Sequence, residues 1–102
     1  MTNIQAEKIH SILEKFILAD GFHPIFDSVR SHDSYLCDAR DGREYLDLFS
    51  FFATQPVRFN HPKMLTKEFK ETLARASINR PTLSDIYTPE YASFVETFGR
   101  VA

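Results

Sequence analysis

Hydrophobic residues recur every three to four positions near the start of the chain, between Thr2 and Asp20. That spacing predicts an amphipathic helix, whose apolar stripe consists of Ile9, Ile12, Leu13, Phe16 and Ile17. Thr2 and Gln5 have the spacing of a capping box, and Gly21 is placed to end the helix. Because the opposite face mixes acidic and basic residues, we interpret the stripe as a core-facing surface rather than a membrane-binding one.

The pattern then changes to that of a β-hairpin, within Ser34–Phe49. Tyr35–Cys37 forms the first predicted strand, and the run Asp38–Gly42, which ends in Asp-Gly, forms the turn. Alternation in Glu44–Phe49 predicts a second strand whose residues face two sides in turn. One face carries Tyr45, Asp47 and Phe49, and the other carries Leu46 and Leu48. A hairpin alone is marginal in water, so we expect it to pack against the helical stripes.

A loop rich in bulky apolar side chains follows the hairpin, at Ser50–Phe59. Its apolar members are Phe51, Phe52, Val57 and Phe59. Loops usually run over the surface, so an aromatic loop either fills a core or lines a pocket. With no partner domain in view, we favour a core plug.

Two further helices are predicted in the remaining residues. Asn60 or His61 caps the first one, and a proline follows at its first position. After an irregular stretch, Ser77–Tyr87, Thr88 caps a last helix that again starts with proline. The apolar stripe of this helix consists of Tyr91, Phe94, Val95 and Phe98. The predicted fold class is therefore α+β: an N-terminal helix, a β-hairpin, an aromatic loop and two further helices.

Composition bounds the class of protein. The chain has 102 residues and a formal net charge of −2 with interspersed charges, which argues against a nucleic-acid-binding surface. No apolar run is long enough for a membrane span, and no signal peptide is expected. The lone cysteine, Cys37, leaves no internal disulfide and fits a cytoplasmic protein. Ten phenylalanines form either a Phe-rich core or a surface that meets another domain or subunit.

Few residues carry chemistry of their own. The four histidines have no metal-ligand spacing, and three glycines cannot build a phosphate-binding loop. Cys37 is predicted to be a buried, inert thiol in a strand. Turn chemistry explains Asp38 and Asp41, and a hydrogen bond at the strand end explains Asp47. We therefore predict no catalytic, cofactor-binding or metal-ligating residue in this chain.

The segment Phe26–Pro62 resembles the N-terminal part of class III (fold type I) pyridoxal-phosphate aminotransferases. That family has a hairpin of the form aromatic-small-Asp-x-x-Gly-x-x-Tyr-Leu-Asp, a loop, and Asn/His-His-Pro at a helix start. The matching residues are Tyr35, Asp38, Asp41, Gly42, Tyr45, Leu46, Asp47, Asn60, His61 and Pro62. Within the class, the likeness is strongest to the lysine 6-aminotransferases. It rests on Arg30–Ser31, Phe51–Ala53, Asn79–Pro81, Ser84–Asp85, Tyr87 and Phe94–Phe98.

The resemblance implies an enzyme that moves the ε-amino group of L-lysine to 2-oxoglutarate, with pyridoxal phosphate as the electron sink. It implies an N-terminal helix in residues 1–21 and a small-domain segment in residues 22–102. A substrate-binding wall is implied for Phe52, Ala53 and Thr54, and a dimer interface for Asn79, Arg80, Pro81, Asp85 and Tyr87. Many relatives have glycine two residues before the Asn/His-His-Pro motif, where this chain has Arg58–Phe59, so we expect the local backbone to differ.

In the family that this chain resembles, a large domain carries the Schiff-base lysine. No part of this sequence resembles that domain. The five lysines lie on predicted helix faces, at Lys8, Lys15, Lys63, Lys67 and Lys70. We therefore expect this chain alone to bind no pyridoxal phosphate and to catalyse no transamination. Two hypotheses stay open: an N-terminal part of a lysine 6-aminotransferase, or a stand-alone, non-catalytic interaction module derived from the same fold. Uncovered aromatic surface predicts a homo-oligomer, a two-fold dimer.

Overall fold

The chain folds into two compact units, Met1–Thr66 and Lys67–Ala102. The computed structural model describes residues 3–102. They contain short helices and a two-stranded antiparallel sheet in the order that the sequence predicts, which confirms the α+β fold class. The predicted division after residue 21 concerns family organisation and stays a prediction.

The sheet is the predicted hairpin. Strand β1 is Tyr35–Cys37 and strand β2 is Glu44–Leu46. Tyr35 pairs with Leu46, and Cys37 pairs with Glu44. In the connecting turn, Gly42 has a φ of +75°, a conformation that glycine adopts without steric cost. The Asp-Gly signal therefore marks the turn correctly.

The second strand is shorter than predicted, because it ends at Leu46 rather than Phe49. The Asp47 carboxylate accepts hydrogen bonds from the backbone N–H groups of Phe49 and Ser50, at 3.1 and 2.8 Å. An aspartate that bonds its own following backbone competes with the strand ladder. The two-face alternation beyond Leu46 is therefore wrong, whereas the strand-end hydrogen bond of Asp47 is confirmed.

The first helix is also shorter than predicted. A 3₁₀ turn, Ala6–Lys8, leads into a single α-helical segment, Ile9–Leu13. Helical hydrogen bonding continues as far as the N–H of Ile17, so Gly21 does not end the helix. Gln5 precedes the 3₁₀ turn without a side-chain cap, and Thr2 lies outside the described residues.

The apolar stripe of this helix is largely uncovered. Phe16 is 83% exposed and Ile17 is 59% exposed. Among the described elements, Ile9–Leu13 contacts the preceding 3₁₀ turn and does not pack against the hairpin. The predicted packing of this stripe on the hairpin is therefore wrong. Because most helical stability in proteins comes from such packing, an uncovered stripe supports only a short helix.

The second unit contains two longer helices, Lys67–Ile78 and Pro89–Val101. Thr88 caps the latter, since its hydroxyl accepts the N–H of Tyr91 at 3.2 Å, as predicted. His61 and Pro62 open a 3₁₀ turn, Pro62–Met64, just before this unit. None of residues 67–102 is buried.

Among residues 3–66, four are buried: the apolar Cys37 and Phe59, and the polar Ser31 and Asp38. Cys37 is thus the buried thiol that was predicted. The aromatic loop fulfils the core-plug prediction only in part. Phe59 is 4% exposed, but Phe52 is 87% exposed.

Candidate functional site

Six phenylalanines of the first unit form an aromatic cluster: Phe22, Phe26, Phe49, Phe51, Phe52 and Phe59. Phe49 is at its centre, with its ring centroid 5.3 Å from that of Phe22 and 4.9 Å from that of Phe52. Phe26 joins the cluster to the buried Phe59, at 5.2 Å between centroids. Edge-to-face and tilted contacts of this kind add stability beyond area burial. The cluster therefore links the segment before the hairpin, residues 22–33 (the connector), to the loop after it.

Five rings of this cluster, all except that of Phe59, line an open groove of about 770 Å³. The other residues around this groove are Asp20, Gly21, His23, Pro24, Leu36, Tyr45, Leu46, Asp47 and Leu48. A largely apolar concavity with a few polar groups is the usual form of a small-molecule site. We therefore take this aromatic groove as the candidate site.

A left-handed turn, Ser50–Ala53, carries Phe52 to the edge of the groove. All four of its residues have a positive φ, between 47° and 64°. For residues other than glycine, this conformation costs roughly 1–2 kcal/mol each. The Asp47 carboxylate holds the start of the turn, and the Thr54 hydroxyl donates to the Phe51 carbonyl at 2.9 Å. Local hydrogen bonds thus maintain a strained backbone next to the candidate site.

A buried carboxylate fixes the connector against the hairpin. Asp38 is fully buried, and its side chain accepts the backbone N–H of Ile25 at 3.2 Å and that of Arg40 at 3.0 Å. The Arg40 guanidinium binds the same carboxylate, with Nη2 2.7 Å from Oδ2. This guanidinium and the backbone donors hold the pKa of the Asp38 carboxyl well below its usual range, although burial opposes them. Asp38 is therefore an ionised structural anchor.

A second polar contact fixes the end of the aromatic loop. The Asn60 side chain donates to the carbonyls of Ser28 and Ser31, at 2.9 and 2.6 Å. The buried Ser31 hydroxyl accepts the Cys37 N–H at 2.9 Å. Asn60 itself has a φ of +52°, which asparagine tolerates better than most residues. The loop is thus anchored at both ends, by Asp47 and by Asn60.

The three predicted substrate-binding residues lie on or beside the left-handed turn, but only one of them lines the groove. Phe52 lines the aromatic groove. Ala53 and Thr54 are exposed and lie outside its lining. Phe22, Phe26 and Phe49 also line the groove, although the sequence predicts no role in a site for them. Their signal in the sequence is weak, because it consists of aromatic residues flanking a turn or a proline.

The predicted interface residues all lie in the second unit, but they do not form a single cluster. Asn79, Arg80 and Pro81 line a shallow groove of about 380 Å³. Tyr87 is 67% exposed and its ring centroid is 6.0 Å from that of Tyr91. Asp85 is exposed and does not line the groove. These positions are accessible within this chain, and nothing in it identifies what contacts them.

The histidines make local contacts. His32 bridges Glu44 and Asp33, with Nε2 2.7 Å and Nδ1 3.2 Å from their carboxylates, and these hydrogen bonds raise its pKa. His10 stacks on His23 at 5.6 Å. Across residues 3–102, no three side chains converge as metal ligands, and no helix is long and apolar enough to cross a membrane.

Comparison with known proteins identifies the family. No protein-family model matches the chain. The L-lysine-epsilon aminotransferase of Mycobacterium tuberculosis is 42% identical over 96 residues, 93% of this chain and 21% of that protein. That of Streptomyces clavuligerus is 41% identical over 100 residues, 97% of this chain and 22% of that protein. The solved lysine aminotransferase from M. tuberculosis in the internal aldimine form superposes with a TM-score of 0.89 at 40% identity, covering 96% of this chain and 23% of that chain.

Fold and sequence thus agree on the class of protein, which is the aminotransferases. Within this class, the homologues of the chain are L-lysine-epsilon aminotransferases, and it corresponds to their N-terminal segment, as the resemblance predicts. It spans about a fifth of the length of the relatives it matches.

Proposed function

We propose that this chain is the N-terminal part of an L-lysine ε-aminotransferase, which transfers the ε-amino group of L-lysine to 2-oxoglutarate in the cytoplasm. The observation that carries the proposal is the 42% identity over 93% of the chain, together with a TM-score of 0.89 for the same fold. The whole protein performs the reaction, and residues 22–102 contribute part of its small domain.

Within that protein, the aromatic groove forms one wall of the substrate site. Phe52 and Ala53 contact substrate from the left-handed turn, and Thr54, which follows the turn, contacts it beside them. An apolar, aromatic wall excludes water and packs against the methylene groups of lysine. Its exposure in this chain, 87% for Phe52, fits a side chain whose contacts lie outside these residues.

Aminotransferases use pyridoxal phosphate as an electron sink, but the described residues do not fit this cofactor by themselves. All five lysines are exposed, and none lines the aromatic groove. We therefore propose that these 102 residues alone bind no pyridoxal phosphate and transfer no amino group. The cofactor site belongs to the large domain of the whole protein.

The whole protein acts as a dimer in this proposal, with Asn79, Arg80, Pro81, Asp85 and Tyr87 at the interface. Exposed apolar residues on the helix Pro89–Val101 support an association surface, since Phe94 and Phe98 are 64% and 59% exposed. A stand-alone interaction module predicts the same dimer but no catalytic role, so dimerisation does not separate the two functions.

A chimera separates them. The N-terminal segment of the M. tuberculosis L-lysine-epsilon aminotransferase is replaced by this chain, and glutamate formation from L-lysine and 2-oxoglutarate is measured. We expect kcat/KM within about tenfold of the parent enzyme, because the backbone of the wall is preserved. A matched chimera with Phe52→Ala should raise KM for lysine. A chimera that folds, as judged by circular dichroism, but forms no glutamate would favour the stand-alone module.

A further inference from the structure

We propose that Asp47 is a positioning residue, which holds the left-handed turn Ser50–Ala53 and thereby fixes Phe52 at the edge of the aromatic groove. This inference rests on the proposed function, since it assigns Asp47 a role through a side chain that contacts substrate there.

The starting observation is the backbone of the turn. Four consecutive residues, none of them glycine, have left-handed φ values. Phe51 and Phe52 lie in the left-handed helical region in both angles, at φ 47°, ψ 50° and φ 56°, ψ 45°. Backbone of this kind persists only where surrounding contacts determine it, and it occurs frequently at ligand-binding sites.

Asp47 supplies contacts at the right place. Its own N–H donates to the Ser34 carbonyl at 2.7 Å, which anchors Asp47 to the start of the hairpin. Its half-buried carboxylate accepts the N–H groups of Phe49 and Ser50. One residue therefore connects the paired strands to the first residue of the left-handed turn.

The carboxylate acts on Phe52 by two routes. It fixes Ser50, from which the left-handed backbone leads to Phe52. It also fixes Phe49, whose ring meets that of Phe52 edge-on with centroids 4.9 Å apart. Without the carboxylate, two backbone donors lose their acceptor, and the turn can relax toward the right-handed region that these residues prefer. Phe52 then leaves its position, while groups that act on the reacting atoms are unaffected.

The test compares three variants of the chimera described above, each with a single substitution. Asp47→Ala removes the carboxylate, and Asp47→Asn keeps an amide oxygen that can accept both N–H groups. Asp41→Ala is the matched control, because the Asp41 carboxylate accepts the Arg43 N–H at 2.9 Å in the hairpin turn, away from the groove. We expect Asp47→Ala to raise KM for lysine about tenfold with kcat within about twofold, since a lost apolar contact has an effect of this order. Asp47→Asn should restore most of the difference, and Asp41→Ala should leave KM unchanged.

A spectroscopic measurement on the chain itself reports the turn independently of activity. Left-handed residues bring the amide and α protons of the same residue close together, so residues 50–53 should give strong intraresidue cross-peaks in a nuclear Overhauser spectrum. We expect these cross-peaks in the unmodified chain and in Asp47→Asn, and weaker ones in Asp47→Ala.

The outcomes separate the two proposals. An active chimera in which Asp47→Ala behaves like Asp41→Ala overturns the positioning role and leaves the proposed function standing. A folded but inactive unmodified chimera overturns the proposed function and the positioning role with it. If Asp47→Ala does not fold, Asp47→Glu moves the carboxylate by one methylene group and should raise KM in the same direction. An unchanged KM in Asp47→Glu also overturns the positioning role.

Discussion

The buried network around Asp38 and the aromatic groove belong to the same unit, yet they reverse the usual distribution of polar and apolar residues. Asp38 and Ser31 are fully buried, and their side-chain acceptors bind backbone donors. In the groove, Phe52 and Leu48 are 87% and 88% exposed. The difference shows that the backbone here is fixed by hydrogen bonds to a few buried polar groups, while much of the aromatic surface is left uncovered. A ligand or the rest of a larger protein is the natural partner of such a surface.

The largest expected effect is a loss of stability that differs between two phenylalanines of the same cluster. Phe59→Ala should lower the free energy of unfolding by about 3 kcal/mol, because it empties a buried site. Phe52→Ala should cost less than about 1 kcal/mol, because the side chain is exposed and loses mainly one ring contact. Urea denaturation measures both. Equal losses would show that Phe52 is covered in solution, for example by a second copy of the chain.

Removing the buried carboxylate should come next in size. Asp38→Ala leaves the N–H of Ile25 and the Arg40 guanidinium without their acceptor, so we expect a loss of about 2–3 kcal/mol. Asp41→Ala, at an exposed carboxylate in the same turn, should cost about 0.5 kcal/mol. A small loss in both variants would show that the connector is held by apolar contacts instead.

The same carboxylate makes stability depend on pH. The pKa of Asp38 in the folded chain lies below its ordinary value of 3.8. Its stabilising contribution is therefore complete above about pH 4 and is lost as the pH falls below that value. Asp27, whose pKa is lowered by hydrogen bonds from Arg30, adds to the same acid limb. The free energy of unfolding, measured between about pH 5 and pH 2, should depend less steeply on pH in Asp38→Asn. An unchanged dependence on pH would contradict the Asp38 contribution.

Glycine substitution tests the strained edge of the groove. Ala53 has a φ of +64°, so Ala53→Gly should raise the free energy of unfolding by about 1 kcal/mol, because glycine adopts this conformation freely. Ala39→Gly is the control. Ala39 is absent from the positive-φ residues, so the same chemical change should lower stability by about 0.5–1 kcal/mol. A loss of stability in both variants would indicate that the turn is not left-handed in solution.

The smallest effect concerns His32, an exposed residue just before the hairpin. Hydrogen bonds to Glu44 and Asp33 raise its pKa above 6.5. Its contribution to stability is therefore present below about pH 6.5 and disappears as the pH rises through the folded pKa. A nuclear magnetic resonance titration should show the raised pKa, and Glu44→Gln should bring it down toward the ordinary value. A titration that Glu44→Gln does not change would assign the shift to another group.

Much of the local structure could be predicted from the sequence. The Asp-Gly turn, the pairing of Tyr35–Cys37 with the next strand, and the cap at Thr88 are as expected. His61 caps the 3₁₀ turn Pro62–Met64 rather than the predicted helix, which begins at Lys67. The turn and the cap each depend on residues a few positions apart, whose side chains bond their own neighbouring backbone. The resemblance also implies a substrate-binding role for Phe52, which lines the candidate site; that role stays a prediction.

The tertiary structure alone decided those features that depend on contacts between residues far apart in the sequence. Asn60 reaches the Ser28 carbonyl across 32 positions, and Asp38 accepts the N–H of Ile25 across 13. Those contacts place Phe22 and Phe26 beside the loop, and the fixed loop ends sustain a left-handed turn that no local preference would form. The first helix fails for the opposite reason: its periodic pattern predicts a long helix, but no described element covers its stripe. Periodicity identifies which face of an element is apolar, whereas only the assembled chain determines whether anything is present to bury it.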